Sequence, residues 1–428
     1  MRFSAPKGTH DLLPAGPDRT DWADDIDKWH WLENVFRELA VKFGYDEVRT
    51  PTFESTDLFK RAVGEGTDIV SKEMYEFTTK GGDEYTLRPE GTAPALRAFV
   101  QHRLYIERPV TKLYYISSIF RYERQQKGRY RQHHQVGVEV LGAAGPDVDA
   151  EIISLAMAFF RRLGVARLTL KVNSVGNVES RARYIQALRG YAEPFLSEMS
   201  EDNQRRFREN ALRMLDSKDE RDIRILSTAP KLSAFLSHED RAHFDKLCQY
   251  LETLGVSYEH DELLVRGFDY YTRTTFEVVS PDVGAQSALA GGGRYDRLVE
   301  EIGGPPTPGI GFGLGIERAL IALQAAGVKV PEPPAPRVML CPIGQAARDA
   351  CVGLLATIRR SGIAADMDYT GRKLKTMLEQ ADRVKAHYVV IIGDEELAQG
   401  VVQLRNQLTA EKEQRAVPLK DLSYFLTH

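Results

Sequence analysis

Residues Leu113 to Gly142, LYYISSIFRYERQQKGRYRQHHQVGVEVLG, constrain the fold more than any other stretch. Two apolar-rich runs flank a cationic loop, the pattern of a β-hairpin with a long tip. Alternation along the outgoing run sets Arg121 and Glu123 on one face and Phe120 and Tyr122 on the other. On the return run Gln135, Gly137 and Glu139 share a face, and Val136, Val138 and Val140 share the opposite one. The loop RQQKGRYRQ adds Arg124, Lys127, Arg129 and Arg131. A surface hairpin with one solvated, charged face would show the same pattern. The rest of the chain points away from that.

At 428 residues the chain has room for about three domains at one per 150 or so. With 43% hydrophobic and 28% charged residues it has the composition of an ordinary globular protein with ample core. A net charge of −4 gives no general attraction to nucleic acid, so any polyanion must be met by local basic patches such as the hairpin loop. Cys248, Cys341 and Cys351 are scattered and form no C-x-x-C, which speaks against a disulfide framework or a zinc site and fits a reducing compartment. There is no run of about 18 apolar residues and no signal-peptide core at MRFSAPKGTHDLLP, so the expected address is the cytoplasm, with no membrane partner.

The segments around the hairpin supply the rest of a sheet domain. After the turn-like start KGTHDLLP, apolar residues at helical spacing (Trp29, Leu32, Val35, Phe36, Leu39, Phe43) predict a helix from about Ile26 to Phe43, stopped by Gly44. Glu84 to Phe99 runs from a short strand through Arg88-Pro89-Glu90-Gly91-Thr92 into a helix, with Pro94 early in it, where its missing N–H costs little. Glu90 and Thr92 thus stand at a strand-to-helix turn, where they either cap the helix or reach a small polar ligand. Ala150 to Leu163 reads as a helix and LTLKVNSVG as a strand and turn. Between about 175 and 260, charged helix formers replace strand signals and predict a helical insertion interrupting the sheet domain. Its Arg205, Arg206 and Arg208 fit a solvated face better than a nucleic-acid contact. LLVRGFDYYTRTTFEVVS (Leu263 to Ser280) reads as a strand with Arg266 and Tyr270 on one side and Tyr271 on the other, unless Gly267 forms a bulge.

PTPGIGFGLGIERALIAL spaces Gly309, Gly311, Gly313 and Gly315 at period two, with Ile310, Phe312 and Leu314 between them. One face of that strand is packed and the other is bare, so a flat group can approach the backbone. A helix carrying Glu317 and Arg318 starts where the bare face ends. The spacing is not the dinucleotide loop, which needs a βαβ setting. Glycines of this kind also accommodate a neighbouring helix, but the arginine favours a nucleotide pocket. After a proline-rich linker at 329–336, strands and helices alternate through 337–428. That pattern predicts an α/β unit of parallel type, without a catalytic cluster and hence a binding module. Arg372, Lys373 and Lys375 in it either meet phosphates or are ordinary surface charge.

Arg121, Arg266 and Arg318 come from three separated motifs. Arginines collected in this way suit an extended phosphate chain, because each guanidinium offers a planar fork of donors. Glu90, Glu123, Gln135 and Glu139 add acceptors for an ammonium group, an N–H-bearing side chain or a magnesium ion. Together they suggest ATP plus an amino acid. No Ser-His-Asp or Cys-His arrangement is evident, and no protein-held metal is expected, since His133 and His134 would point to opposite faces of a strand.

FRYE (Phe120 to Glu123) resembles the second signature motif of the class II aminoacyl-tRNA synthetases, and GIGFGLGIER, ending at Arg318, resembles the third. The helix and Pro51 region looks like the less distinctive first motif, which forms dimers. Within that class TLRPEGT, RYRQHHQVGVEVLG, LVRGFDYY and GGGRYD are similar to the histidyl-tRNA synthetase family, and the resemblance covers essentially the whole chain. It implies an α/β fold class: an α+β catalytic domain with an antiparallel sheet at 1–328, interrupted by the helical insertion, and an α/β anticodon-binding domain at 337–428. It further implies ATP-dependent activation of L-histidine and transfer to tRNA(His), with Mg2+ accompanying ATP, in a homodimer. By the same resemblance Glu90, Thr92 and Gln135 hold the ammonium end of histidine, and Glu139 and Tyr271 read the imidazole with Tyr270 close by. Arg121 and Arg318 would clamp ATP, Arg266 would bridge the histidine carboxylate and the α-phosphate, and Glu123 would sit near the adenine end. Arg124 and Gln126 would approach the tRNA acceptor end. Arg297, where the family often has glycine, and His133, at a variable aromatic position, are departures. A regulatory paralogue that binds histidine without charging tRNA would share the sheet domain. Such paralogues usually lose the terminal domain and erode the phosphate-binding arginines, and both are present here.

Overall fold

Asp25 starts the first long helix, Ile26–Lys42, by accepting the N–H of Asp27, and Gly44 at φ +78 follows its end. The predicted stripe buries Trp29, Leu32, Phe36 and Leu39, and Phe36 meets Tyr114 and Phe159 edge-on. That contact sets the helix against the back of the sheet. The structure, a computed structural model, describes residues 3–14, 20–64, 67–124, 128–265, 268, 270–283, 288–331 and 337–427. It divides into two units, Met1–Val330 and Pro331–His428.

In the first unit the strands are β1 (Asp46–Glu47), β2 (Phe53–Ser55), β3 (Tyr75–Thr78), β4 (Glu84–Leu87), β5 (Thr111–Phe120), β6 (Gln132–Leu141), β7 (Thr169–Ser174), β8 (Glu259–His260), β9 (Thr272–Val279), β10 (Ala288–Arg294) and β11 (Gly309–Gly315). Among the described residues eight of them form one sheet, β1-β5-β6-β11-β10-β9-β7-β8, and β2-β4-β3 form a small second one. The large sheet is antiparallel except where β1 meets β5 and β7 meets β8. Val136, Val138, Val140, Ile310, Phe312 and Leu314 face a core closed by helices Ile26–Lys42, Pro146–Arg162, His238–Thr253 and Ile316–Ala325. A second core on the other side gathers Leu96, Phe99, Leu141, Tyr184, Tyr270 and Tyr295. Each buried large side chain contributes about 1.5–3 kcal/mol, so the sheet is clamped on both faces. The charged face of β6 is therefore enclosed, not solvated.

Three local expectations are corrected. β5 ends at Phe120, because the N–H of Tyr122 donates to Glu73 O and the chain leaves β6 there. The strand expected at Leu263 to Ser280 begins only at Thr272: Leu264 N–H turns back to Asp261 O, and Asn173 Nδ2 donates to the carbonyls of Glu262 and Leu264. Arg266 and Gly267, on which the register question turned, lie outside the described residues. In the insertion range the helices are Val178–Ala192, Glu201–Glu209, Glu220–Leu226 and His238–Thr253, and the last of these lies in the core beneath the sheet. Arg205 is ion-paired to Asp202 at 3.2 Å and Asp68 at 3.5 Å.

The third correction concerns the second unit, whose strands are β12 (Val338–Ile343), β13 (Ala365–Met367), β14 (Tyr388–Gly393), β15 (Val401–Asn406) and β16 (Gln414–Pro418), in the order β13-β12-β14-β15-β16. β13, β12 and β14 are parallel, but β15 and β16 run antiparallel, so the sheet is mixed. Only residues 394–400 join β14 to β15, too few for a crossover of about a dozen. β16 escaped the sequence pattern because only Val417 of its residues is buried. Arg372 is paired with Asp368 at 3.3 Å. No helix among the described residues is long and apolar enough to cross a membrane.

Candidate active site

The floor of the site is β6 laid beside β11, with Gly311 opposite Glu139 and Gly315 opposite Gln135. A Cβ on Gly309 would lie 2.4 Å from Tyr295 Cε2, on Gly311 2.0 Å from Glu139 Oε2, and on Gly313 1.6 Å from Gln135 Nε2. The bare face is thus covered by the chain's own side chains over three of its four glycines, and only at Gly315 is nothing nearer than 3.9 Å. This corrects the expectation that the whole glycine face receives a flat ligand. The glycines let Glu139 and Gln135 lie down across that face, and of the two Gln135 reaches the cleft wall. Tyr115 is set in the same way, its ring filling the space above Gly137 and Gly91.

One end of the cleft is closed and polar. Glu139 is fully buried, and its carboxylate accepts Thr92 Oγ1 at 2.8 Å, Tyr115 Oη at 3.1 Å and the Tyr295 hydroxyl. Burial pushes its pKa up to about 8, against the lowering effect of the three hydroxyls. Burial also holds the Tyr115, Tyr270 and Tyr295 hydroxyls well above their ordinary range, so they stay donors. Glu90 is buried too, and its oxygens take the N–H groups of Thr92 and Ala93 at 2.7 Å each. It therefore caps the helix Thr92–Gln101 and also lines the cleft.

The other end is cationic. Arg121 Nε donates to Pro89 O at 2.7 Å, while Arg318 donates to Gly128 O at 3.3 Å and Ala288 O at 3.2 Å. Main-chain carbonyls thus aim both guanidinium groups. Glu123 stands between Arg129 at 3.1 Å and Arg121 at 3.8 Å, so Arg121 and Glu123 share the cleft although they lie outside β5. Burial and the neighbouring Arg129 pull the Arg318 pKa down. Burial and Arg121 push His133 down to about 3, leaving it neutral at pH 7. Glu317 ties the following helix to β6 by accepting His134 N–H at 2.9 and 3.1 Å, and His134 packs edge-on against Trp29. From His133 to Glu139 along β6 is roughly 20 Å. The cleft holds about 260 Å³, close to the lower end of small-molecule sites, and opens to solvent.

Of the residues singled out by sequence, the structure brings Glu90, Thr92, Arg121, Glu123, Gln135, Tyr270 and Arg318 to the cleft wall, with Glu139 buried behind it. Tyr271 lies against Gly293 and lines a second cleft beside Arg181 and Arg213, its ring 4.7 Å from that of Tyr270. Arg124 is exposed, and Arg266 and Gln126 lie outside the described residues. Sequence reasoning missed Tyr115 and Tyr295, and it named Arg129 only as one of the loop cations. Tyr115 was detectable from register, as the aromatic paired with Gly137. Tyr295 was hidden by a register shift between Gly293 and Arg294. Beside it Arg294, fully buried, is held by Asp149, Asp296 and the carbonyls of Ala143 and Gly145.

Residues 22–319 match the sequence family described as histidyl-tRNA synthetase, and residues 337–428 match the one described as anticodon binding domain. The chain is 47% identical over 430 residues to the histidine–tRNA ligase of Geobacillus kaustophilus (strain HTA426), covering 100% of this chain and 98% of that protein. It is 44% identical over 412 residues to the corresponding ligase of Protochlamydia amoebophila (strain UWE25), covering 96% and 97%. Among solved structures, apo S. aureus histidyl-tRNA synthetase is similar over 100% of both chains, with a TM-score of 0.82 at 37% identity.

Proposed function

The chain belongs to the histidyl-tRNA synthetase family, and from that membership we propose how its own residues divide the family's chemistry. The protein uses ATP to activate L-histidine and transfers the histidyl group to tRNA(His), and it carries an anticodon-binding domain. In the first step a histidine carboxylate oxygen attacks the α-phosphorus and the bond to pyrophosphate breaks. In the second a hydroxyl of the terminal tRNA ribose attacks the carbonyl carbon, and AMP leaves.

The observation that supports the assignment of residues is the polarity of the cleft, with Glu90, Thr92 and Tyr270 at one end, backed by the buried Glu139 and the hydroxyls on it, and Arg121, Arg129 and Arg318 at the other. A carboxylate has about four lone-pair positions, and three are taken, so one remains for an imidazole N–H. A side chain without that N–H would leave the buried carboxylate short of a donor, which can discriminate by about 10⁴ to 10⁵. Glu90, Thr92 and Gln135 receive the ammonium group, and Tyr271, assigned with Glu139 to the imidazole, acts from behind Tyr270, which is on the cleft wall. Arg121 and Arg318 clamp the triphosphate, Arg266 bridges the carboxylate and the α-phosphate, and Glu123 meets the nucleotide at its adenine end. The arginines oppose the charge that builds at phosphorus, and holding both substrates removes the entropic cost of their meeting. Magnesium would accompany the ATP phosphates and offset their charge.

Arg124 and Gln126 are assigned to the tRNA acceptor end, residues 1–328 to catalysis with about 175–260 as an insertion, and 337–428 to the anticodon. A cytoplasmic homodimer completes the reading. ATP–pyrophosphate exchange with each of the twenty amino acids tests it: exchange with histidine alone, followed by charging of tRNA(His), is expected. Silence with all twenty alongside intact histidine binding would move the assignment to a regulatory paralogue.

A further inference from the structure

The opening KGTHDLLP segment has no part in the chemistry above, yet it lies behind the cationic end. Gly8 is buried at φ +84, and its carbonyl accepts the N–H of Arg131 at 2.7 Å. A Cβ on Gly8 would lie 2.7 Å from Arg131 Cγ, so glycine is what lets the two chains run this close. Thr9 closes the turn, its N–H and hydroxyl both donating to Pro6 O at 3.1 and 2.7 Å. His10 sets its ring on Tyr130, with centroids 4.4 Å apart. Leu13 then bridges to Asp25, its N–H donating to Asp24 O at 3.0 Å while its carbonyl takes Ile26 N–H at 3.0 Å. The segment is thereby fastened to the start of the first helix.

What Gly8 and His10 hold is the return leg of the hairpin loop, residues 128–131. Each of its four residues has a tie to the cleft. Gly128 O aims Arg318, Arg129 pairs with Glu123, and Tyr130 lines the wall. Arg131 O accepts Arg121 N–H at 2.9 Å, and its guanidinium stands 3.8 Å over the Tyr122 ring. Arginines converging on one site repel one another, so this leg needs support from outside the cleft.

We infer that Gly8 and His10 are positioning residues for ATP: they brace residues 128–131 from behind and so fix Arg129, Tyr130 and Arg318 at the triphosphate end. The inference rests on the reading of that end as the ATP site. It is tested on the full chain by ATP–pyrophosphate exchange with Gly8→Val, His10→Ala and His10→Phe. Gly8→Val and His10→Ala should raise the KM for ATP about tenfold, since a misplacement of about 1 Å is worth up to about 100-fold. The KM for histidine should stay at its wild-type value in all three variants and the Tm in the two His10 variants, while Gly8→Val, strained at φ +84, should lower the Tm; His10→Phe, which keeps a ring on Tyr130, should restore the ATP KM. An unchanged ATP KM in both damaging variants overturns the brace, as does an equal rise in both KM values. Wild-type exchange separates the two failures. If the wild type exchanges and the variants match it, only the brace falls, whereas a wild type without exchange removes the ATP reading itself.

Discussion

The two ends of the cleft are built from opposite materials. Around Glu139 side chain meets side chain, with hydroxyls of the half-buried Thr92 and the buried Tyr115 and Tyr295 converging on one carboxylate. Around Arg318 and Arg121 the side chains are partly exposed and are aimed by main-chain carbonyls of Gly128, Ala288 and Pro89. The first arrangement fixes an acceptor before any ligand arrives and suits discrimination among side chains. The second presents positive charge where negative charge must be stabilised and suits a reacting phosphate. On the proposed assignment, selectivity and rate sit in different parts of one groove, with Gln135 between them.

Variants can break that division. The largest effect is expected at Arg266, assigned to the junction of the two ends. Arg266→Ala should lower single-turnover adenylate formation by about 10²–10³, as loss of one transition-state donor does, with the fold intact by circular dichroism. A near-normal rate would remove Arg266 from the chemistry. Gly311→Ala comes next, because its Cβ would stand 2.0 Å from Glu139 Oε2 and must displace it. The KM for histidine should rise about tenfold or more, with ATP little changed, and equal effects on both substrates would show that the ends are coupled.

Tyr295→Phe is milder and is read through pH. Burial sets the Glu139 pKa at about 8, opposed by the Tyr295 hydroxyl, so kcat/KM for histidine should climb toward pH 8 in the wild type. Without that hydroxyl the midpoint should move to higher pH, and a profile that stays put would detach Glu139 from substrate binding. Stability runs the opposite way. The proton on Glu139 favours the folded state fully below the ordinary value of 4.5, and that contribution is lost as pH rises through about 8. The smallest effect belongs to Gly315→Ala, where nothing lies nearer than 3.9 Å. A change of about two- to threefold, confined to the KM for ATP, is expected.

Much of this could be read from the chain. Period-two spacing placed Gln135 and Glu139 on one face of β6 and marked one face of β11 as bare, because strand geometry fixes which side chains share a face. Helical spacing found Ile26–Lys42 almost to the residue. Partners brought from a distance could not be read. The hydroxyls on Glu139 come from the turn after β4, from β5, and from beyond a register shift at Gly293 and Arg294 that no alternation rule anticipates. Arg294 meets Asp149 across 145 positions, and that pairing exists only once the sheet has formed. The glycine face was legible as bare, yet what covers it was decided by the neighbouring strand.

The most direct test of the division is Glu139→Gln, with the KM for histidine and for ATP determined in one pyrophosphate-exchange assay. A rise of about 100-fold or more for histidine, with ATP within about threefold of wild type, is the predicted result. An unchanged histidine KM, or a matching rise for ATP, would contradict the placement of the imidazole at the closed end.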